Sequence, residues 1–312
     1  MEEWSTLTHR VRREEAGKMV RQVLRNRFRF SRRMFRRLKE ARAVEVNGDT
    51  VFITSRVYEG DRIRVRLPGD EGAGVEPQPV PVHLVYEDED IAVIDKQPGV
   101  VVHPTKHYPD HTLANGLAHH WQERGEFHLI RPVTRLDRDT SGLLVFAKHP
   151  HAHARLSAQM QQKRYRRDYV AVVHGRLHSG QGSVDQPIAR SRTHPRLRTV
   201  SPEGAKALTH YRVLERFPQA TLIRLRLETG RTHQIRVHMA HLGHPLLGDT
   251  MYGGKGDRIG RQALHALHLS LYHPRGGHPR SWTAPLAADL KQLLEELRGD
   301  EEDSPLYKPK GQ

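Results

Sequence analysis

RLDRDTSGLLVFA, residues 135–147, begins as a polar turn and ends as an unbroken apolar run. A run of that length bounded by turn residues is the pattern of a strand buried on both faces. Two carboxylates, Asp137 and Asp139, stand at its mouth beside Arg135 and Arg138. Acids held at the end of a buried strand sit on a rigid support, where a site can be built. The plainer alternative is a surface turn in which Asp, Thr and Ser cap local backbone groups.

Working outward, Ile91–Ile94, Tyr169–Val173 and Thr221–Leu227 read as further strands, with Tyr169 opening its strand. His151–Gln162 reads as a helix between the strands at 143–147 and 169–173. Strands and helices mix without strict βαβ alternation, so the expected class is α+β. Thr232 is expected to N-cap a helix with an apolar face of Ile235, Met239 and Leu242, ended by Gly243. Arg236 lies beside that face, where it can grip a carboxylate with two donors.

Towards the N-terminus, residues 11–68 read as a small basic α/β unit. Ser31 is the expected N-cap of a helix that buries Met34, Phe35, Leu38 and Ala41 and carries Arg32, Arg33, Arg36, Arg37 and Lys39 on its other sides. Val44 and Val46, the Asn47-Gly48 turn, then Val51 and Ile53 predict a hairpin. Ile63, Val65 and Leu67 alternate with Arg62, Arg64 and Arg66, a strand with one cationic face. Residues 69–81, rich in Gly, Pro and acids, predict a linker. A second domain follows over 82–298, and 299–312 is expected to be a flexible polar tail.

The 312 residues carry a formal charge of +15. Residues 1–69 hold 18 Lys and Arg against 9 Asp and Glu, a net +9 in under a quarter of the chain. Such concentration points to a polyphosphate partner rather than to a generally solvated surface. Cysteine is absent, which excludes disulfides, thiol catalysis and cysteine-based zinc sites. Neither a signal-type apolar segment nor a membrane-length apolar run is visible, so the expected location is cytoplasmic, with no membrane partner.

RLDRDTSGLLVFAK resembles the catalytic motif of the RluA-type pseudouridine synthases, usually written HRLDxxTSGLLL. Thr134 stands where that family most often has histidine. DYVAVVHG (168–175) and TGRTHQIRVHMAHLGHPLLGD (229–249) match the same family in the same order, preceded by AVIDKQPGVVVHP (92–104). The resemblance thus covers a whole domain. The N-terminal unit resembles the alpha-L RNA-binding domain first described in a ribosomal protein.

These resemblances imply an α+β catalytic domain with a mixed, mostly antiparallel central sheet, flanking helices and a catalytic cleft. They imply an isomerase that turns uridine into pseudouridine in ribosomal or transfer RNA, as a monomer and without a cofactor. Asp137 would be the catalytic carboxylate, Tyr169 the active-site tyrosine and Arg236 the arginine paired with the aspartate. Arg135 would hold the stack when the target uridine is flipped out. Lys96, His103, Arg231 and His233 would contact phosphate or the cleft, and Arg32, Arg33, Arg36 and Arg37 the RNA backbone. Asp139 is expected to stabilise its turn. Two other readings are an inactive RNA-binding or ribosome-assembly factor and a histidine-dependent metallohydrolase. The latter would use His238, His241 and His244, or the histidines of 149–153, but Gly243 and Pro245 end the helix early and no HExxH-type glutamate is present.

Overall fold

The structure is a computed structural model that describes residues 6–28, 30, 32–67, 75–126, 128 and 130–302; for Arg33 and residues 300–302 it describes the backbone alone. Ser31 therefore lies outside the described residues.

The N-terminal unit is a four-stranded sheet under two helices, α1 (Val20–Phe28) and α2 (Arg32–Glu40). Its strands lie in the order Thr6–Arg10, Arg62–Arg66, Val44–Val46, Asp49–Thr50. Asn47 and Gly48 both take positive φ, at 56° and 100°, as the tight turn of a two-residue hairpin requires. The hairpin's second strand is shorter than expected. It ends at Thr50, and Val51 and Ile53 instead pack their half-buried side chains against the unit's own core. That core joins Val20, Val23 and Leu24 to Met34, Phe35, Leu38, Ile63 and Val65. Arg62 and Arg64 stay exposed on the sheet, and Arg32 and Arg36 on α2.

The large domain is built on a ten-stranded sheet. Its main path runs Gln181–Asp185, Leu208–Arg216, Ala220–Leu227, Arg166–His174, Leu264–Tyr272, Ser141–Ala147, Ile91–Lys96, Leu84–Glu87. Every pair along it is antiparallel except Leu264–Tyr272 with Ser141–Ala147. Strand Ser141–Ala147 is buried at every residue. Leu144 and Phe146 join one core, while Leu143, Val145 and Ala147 join another on the opposite face. The two-sided burial expected of the apolar run is therefore observed. Gly142 is required where this strand meets its parallel neighbour, since a Cβ there would lie 2.3 Å from the Ala266 carbonyl oxygen, and its φ is 103°.

Helices α3 (Leu113–Glu123), α4 (Pro150–Gln161), α5 (Gln234–His241) and α6 (Ala288–Glu302) flank the sheet. Residues 75–81 of the expected linker are extended and held on α3. Asn115 donates to the Glu76 carbonyl and accepts, through its own carbonyl, from the Gln78 amide. Helix α6 continues through Glu302, into the stretch expected to be a tail; residues 303–312 lie outside the described residues. The two units meet where Phe30 sets its ring edge-on to His151 of α4, 4.9 Å between centroids. Among the described residues no helix is long and apolar enough to cross a membrane.

Candidate active site

A cleft of about 1740 Å³ opens over the Ser141–Ala147 end of the sheet. Asp137, Tyr169 and Arg236 all line it, as do Arg135, His103, Arg231 and His233. Residues that lie far apart in sequence are thus gathered in one place. Lys96 is not among them.

The loop carrying Asp137 is fastened from behind. Asp137's carbonyl accepts from the Thr140 amide at 3.1 Å, closing a turn. The carbonyl of Arg138 accepts from Lys96 Nζ at 2.7 Å, and that of Asp139 from Arg261 at 2.9 Å. Lys96 is wholly buried and also donates to the carbonyls of Gln97 and Val100, at 2.8 and 2.9 Å. An RNA contact for Lys96 is therefore corrected to a structural role: its three donors are spent on backbone, and burial pushes its ammonium down to about 7. The Asp139 side chain pairs with that of the adjacent Arg138.

The Asp137 carboxylate remains open to the cleft, its Oδ2 accepting from Arg236 Nη1 at 3.2 Å. Arg236 is 5% exposed and makes its two-pronged bond to Asp249, at 2.7 Å for each prong. Burial opposes its charge, but Asp249 and then Asp137 hold the guanidinium's pKa above its ordinary value. The Tyr252 ring lies 4.9 Å from the guanidinium carbon, and its hydroxyl shares a 2.8 Å hydrogen bond with His233 Nδ1. His233 Nε2 is 3.9 Å from Asp137 Oδ2, and burial lowers the His233 pKa.

Helix α5 begins differently from expectation. His233, in the left-handed region at φ 57°, holds the N-cap position without a capping side-chain bond, and Thr232 is exposed. Gln234 organises the approach instead, accepting from the Arg231 amide and from Thr229 Oγ1. Ile235 and Met239 are buried as expected, whereas Leu242 is 38% exposed; Val237 is buried in a separate cluster with Ile188 and Ala207.

Tyr169 lies within strand Arg166–His174 rather than at its start, which places its ring in the core under the cleft. Burial, and further the charge of Asp137, raise its hydroxyl pKa, while Arg167 acts on it in the opposite sense. Arg167, two residues earlier on the same face, also lines the cleft. Arg135 is exposed at the mouth. Asp249, Tyr252 and Arg167 were not foreseen as site residues. The one sequence signal for Asp249 is that it follows directly on Leu246, Leu247 and Gly248, an acid at the end of an apolar pair and a turn glycine.

The histidines do not assemble as a helical metal site. His238 is engaged by Thr209 Oγ1 and the Gln186 carbonyl, and His244 by the His174 carbonyl. Among the described residues the only three such groups close enough to share an ion are Asp88, Asp90 and His273, and there Asp90 already meets Arg275 and His149.

Residues 90–241 match the family model described as RNA pseudouridylate synthase. The chain is 45% identical over 252 residues to an uncharacterized RNA pseudouridine synthase, YjbO, of Bacillus subtilis (strain 168), covering 80% of this chain and 89% of that one. It is 41% identical over 314 residues to ribosomal large subunit pseudouridine synthase D of Pasteurella multocida (strain Pm70), covering 95% and 96%. Among solved structures, human RNA pseudouridylate synthase domain containing 1 superposes with a TM-score of 0.56 at 27% identity, over 73% of this chain and 98% of that one.

Proposed function

Since this chain belongs to the RNA pseudouridine synthase family and is an isomerase of uridine in RNA, we propose that Asp137 is its catalytic carboxylate and that structured large-subunit ribosomal RNA is its substrate. The name of the relative matched over almost its whole length supports that choice of RNA. The observation that carries the choice of residue is the contact of Asp137, open to the cleft, with the buried Arg236.

The reaction breaks the bond between ribose C1′ and uracil N1, turns the base and joins C5 to C1′; a proton leaves C5 and N1 gains one. Such an isomerisation calls for a carboxylate that attacks the sugar or takes a proton from it, and for a base at C5. Arg236 sets a cationic donor at hydrogen-bond distance from Asp137 Oδ2, which orients the carboxylate in the cleft. Asp249 and Tyr252 fix the guanidinium, so that it does not reorganise during the reaction. Tyr169, kept protonated by burial, forms the floor against which the flipped base rests. Arg135 at the mouth holds the gap left in the RNA stack. His103, Arg231 and His233 meet the backbone or the base, and the N-terminal unit supplies Arg32, Arg36 and Arg37 to more distant phosphates. Release of tritium from C5-labelled uridine in ribosomal RNA by the purified protein tests this reading; absence of release from an RNA that it binds would refute it.

A further inference from the structure

Away from the cleft, a second concavity of about 520 Å³ lies where α2 of the N-terminal unit meets α4 of the large domain. Arg37 reaches it from α2, Arg155 from α4, Arg164 from the turn after α4, and Arg131 from the strand that leads into the Asp137 loop. No Asp or Glu is among the described residues that line it. The cationic field registers on the local histidines. Burial, then His149 and Arg155, push His151 down to about 3, and Arg131 adds to the effect of burial on His153. A concavity lined by several guanidinium groups presents a positive potential to an incoming polyanion.

A further feature distinguishes RNA from a free anion. Tyr272 is 41% exposed in the wall of this groove, and the Arg164 guanidinium lies 5.7 Å from its ring centroid. Its backbone is pinned by the buried Gln159, which accepts from the Tyr272 amide at 2.8 Å and donates to its carbonyl at 2.6 Å. An exposed aromatic face inside a cationic groove is the combination on which unpaired bases stack while their phosphates are neutralised. Arg131 and Pro150 line both the groove and the cleft, so a strand can pass from one to the other.

We propose that this groove is a second RNA site, which holds an unpaired segment flanking the target uridine, with phosphates on Arg37, Arg155 and Arg164 and a base on Tyr272. The proposal rests on the function argued above, and the two can fail separately.

The test uses the full-length protein and a transcript of large-subunit ribosomal RNA labelled with tritium at uridine C5. Binding is measured across a salt series and turnover at saturating RNA. R155E/R164E should bind about tenfold more weakly at physiological salt, with a log–log salt slope shallower by about 1.4–1.8. R155K/R164K should keep the slope. Y272A should lose about tenfold in affinity with the slope unchanged. All should keep turnover at saturation. Wild-type affinity and slope in R155E/R164E would overturn the proposal, and wild-type affinity in Y272A would overturn the stacked base. If the double variant does not fold, R164E, at an exposed side chain, should show about half the slope change; an unchanged slope there would equally overturn the groove. Wild-type protein that binds this transcript but releases no tritium would refute the assigned function, while the binding series would still decide the groove.

Discussion

Arg236 and Asp249 face each other as a two-pronged ion pair, with Nε and Nη2 each 2.7 Å from a carboxylate oxygen and both side chains buried. The pair sets the plane of the guanidinium and leaves Nη1 directed at Asp137. The residue that touches the candidate catalytic carboxylate is thus itself held by a second carboxylate, thirteen positions away at the far end of the same segment.

Asp249→Asn keeps the shape of that support but removes its charge. Arg236 should then move off its line to Asp137, lowering turnover about a hundredfold with little change in RNA affinity. Asp249→Ala should in addition cost about 3–5 kcal/mol of stability, because it strands a buried cation. Kinetics together with urea unfolding separate the two effects; wild-type turnover in a folded Asp249→Asn protein would remove Asp249 from the site.

Tyr169→Phe retains the ring and deletes a buried hydroxyl. Turnover should fall far more than affinity. A change confined to the Michaelis constant would make Tyr169 a binding residue and no more.

Much of this architecture is legible in the sequence because it rests on periodicity and turn chemistry. The run Leu143–Ala147 announces a doubly buried strand, and Asn47-Gly48 announces a hairpin. What stays hidden depends on contacts between distant segments. Nothing near Lys96 foretells that its ammonium will be consumed by the Arg138 carbonyl, forty-two residues on. Nothing near Arg236 shows that Asp249 rather than Asp137 takes both its prongs. The start of α5 is misread for a local reason: Thr232 is a good capping residue, but the Gln234 amide that it would cap donates to the Arg231 carbonyl, and His233 takes the N-cap position. Strand Thr6–Arg10 escapes notice because its polar residues take their place only by pairing with Arg62–Arg66.

Glu87 connects stability to pH. Against the opposing push of burial, hydrogen bonds from Trp121 and Lys148 hold its carboxyl down at about 2. A folded-state value below the unfolded one contributes stability that is present above about pH 4.5 and lost as pH falls towards about 2. Unfolding measured from pH 7 to 3 should show a steeper acid loss in the wild type than in Glu87→Gln. Parallel curves would mean that Glu87 contributes no pH-dependent stability.

Removing residues 1–69 should leave a folded large domain, since its cores contain no residue of the N-terminal unit. Turnover at saturating RNA should persist while affinity falls, and the log–log salt slope should drop by about 0.7–0.9 for each phosphate that the unit no longer neutralises. An unchanged slope would exclude an RNA-binding role for the unit. A folded truncation without turnover at any RNA concentration would mean that the unit helps to build the active site.

The most direct measurement compares tritium release from C5-labelled large-subunit ribosomal RNA by the wild-type protein and by Asp137→Asn, alongside RNA binding by both. An amide of the same shape cannot supply the ionised carboxylate. The wild type should release tritium and the variant none above background, with RNA affinity nearly equal. Substantial turnover by the purified variant would contradict the assignment of Asp137 as the catalytic carboxylate.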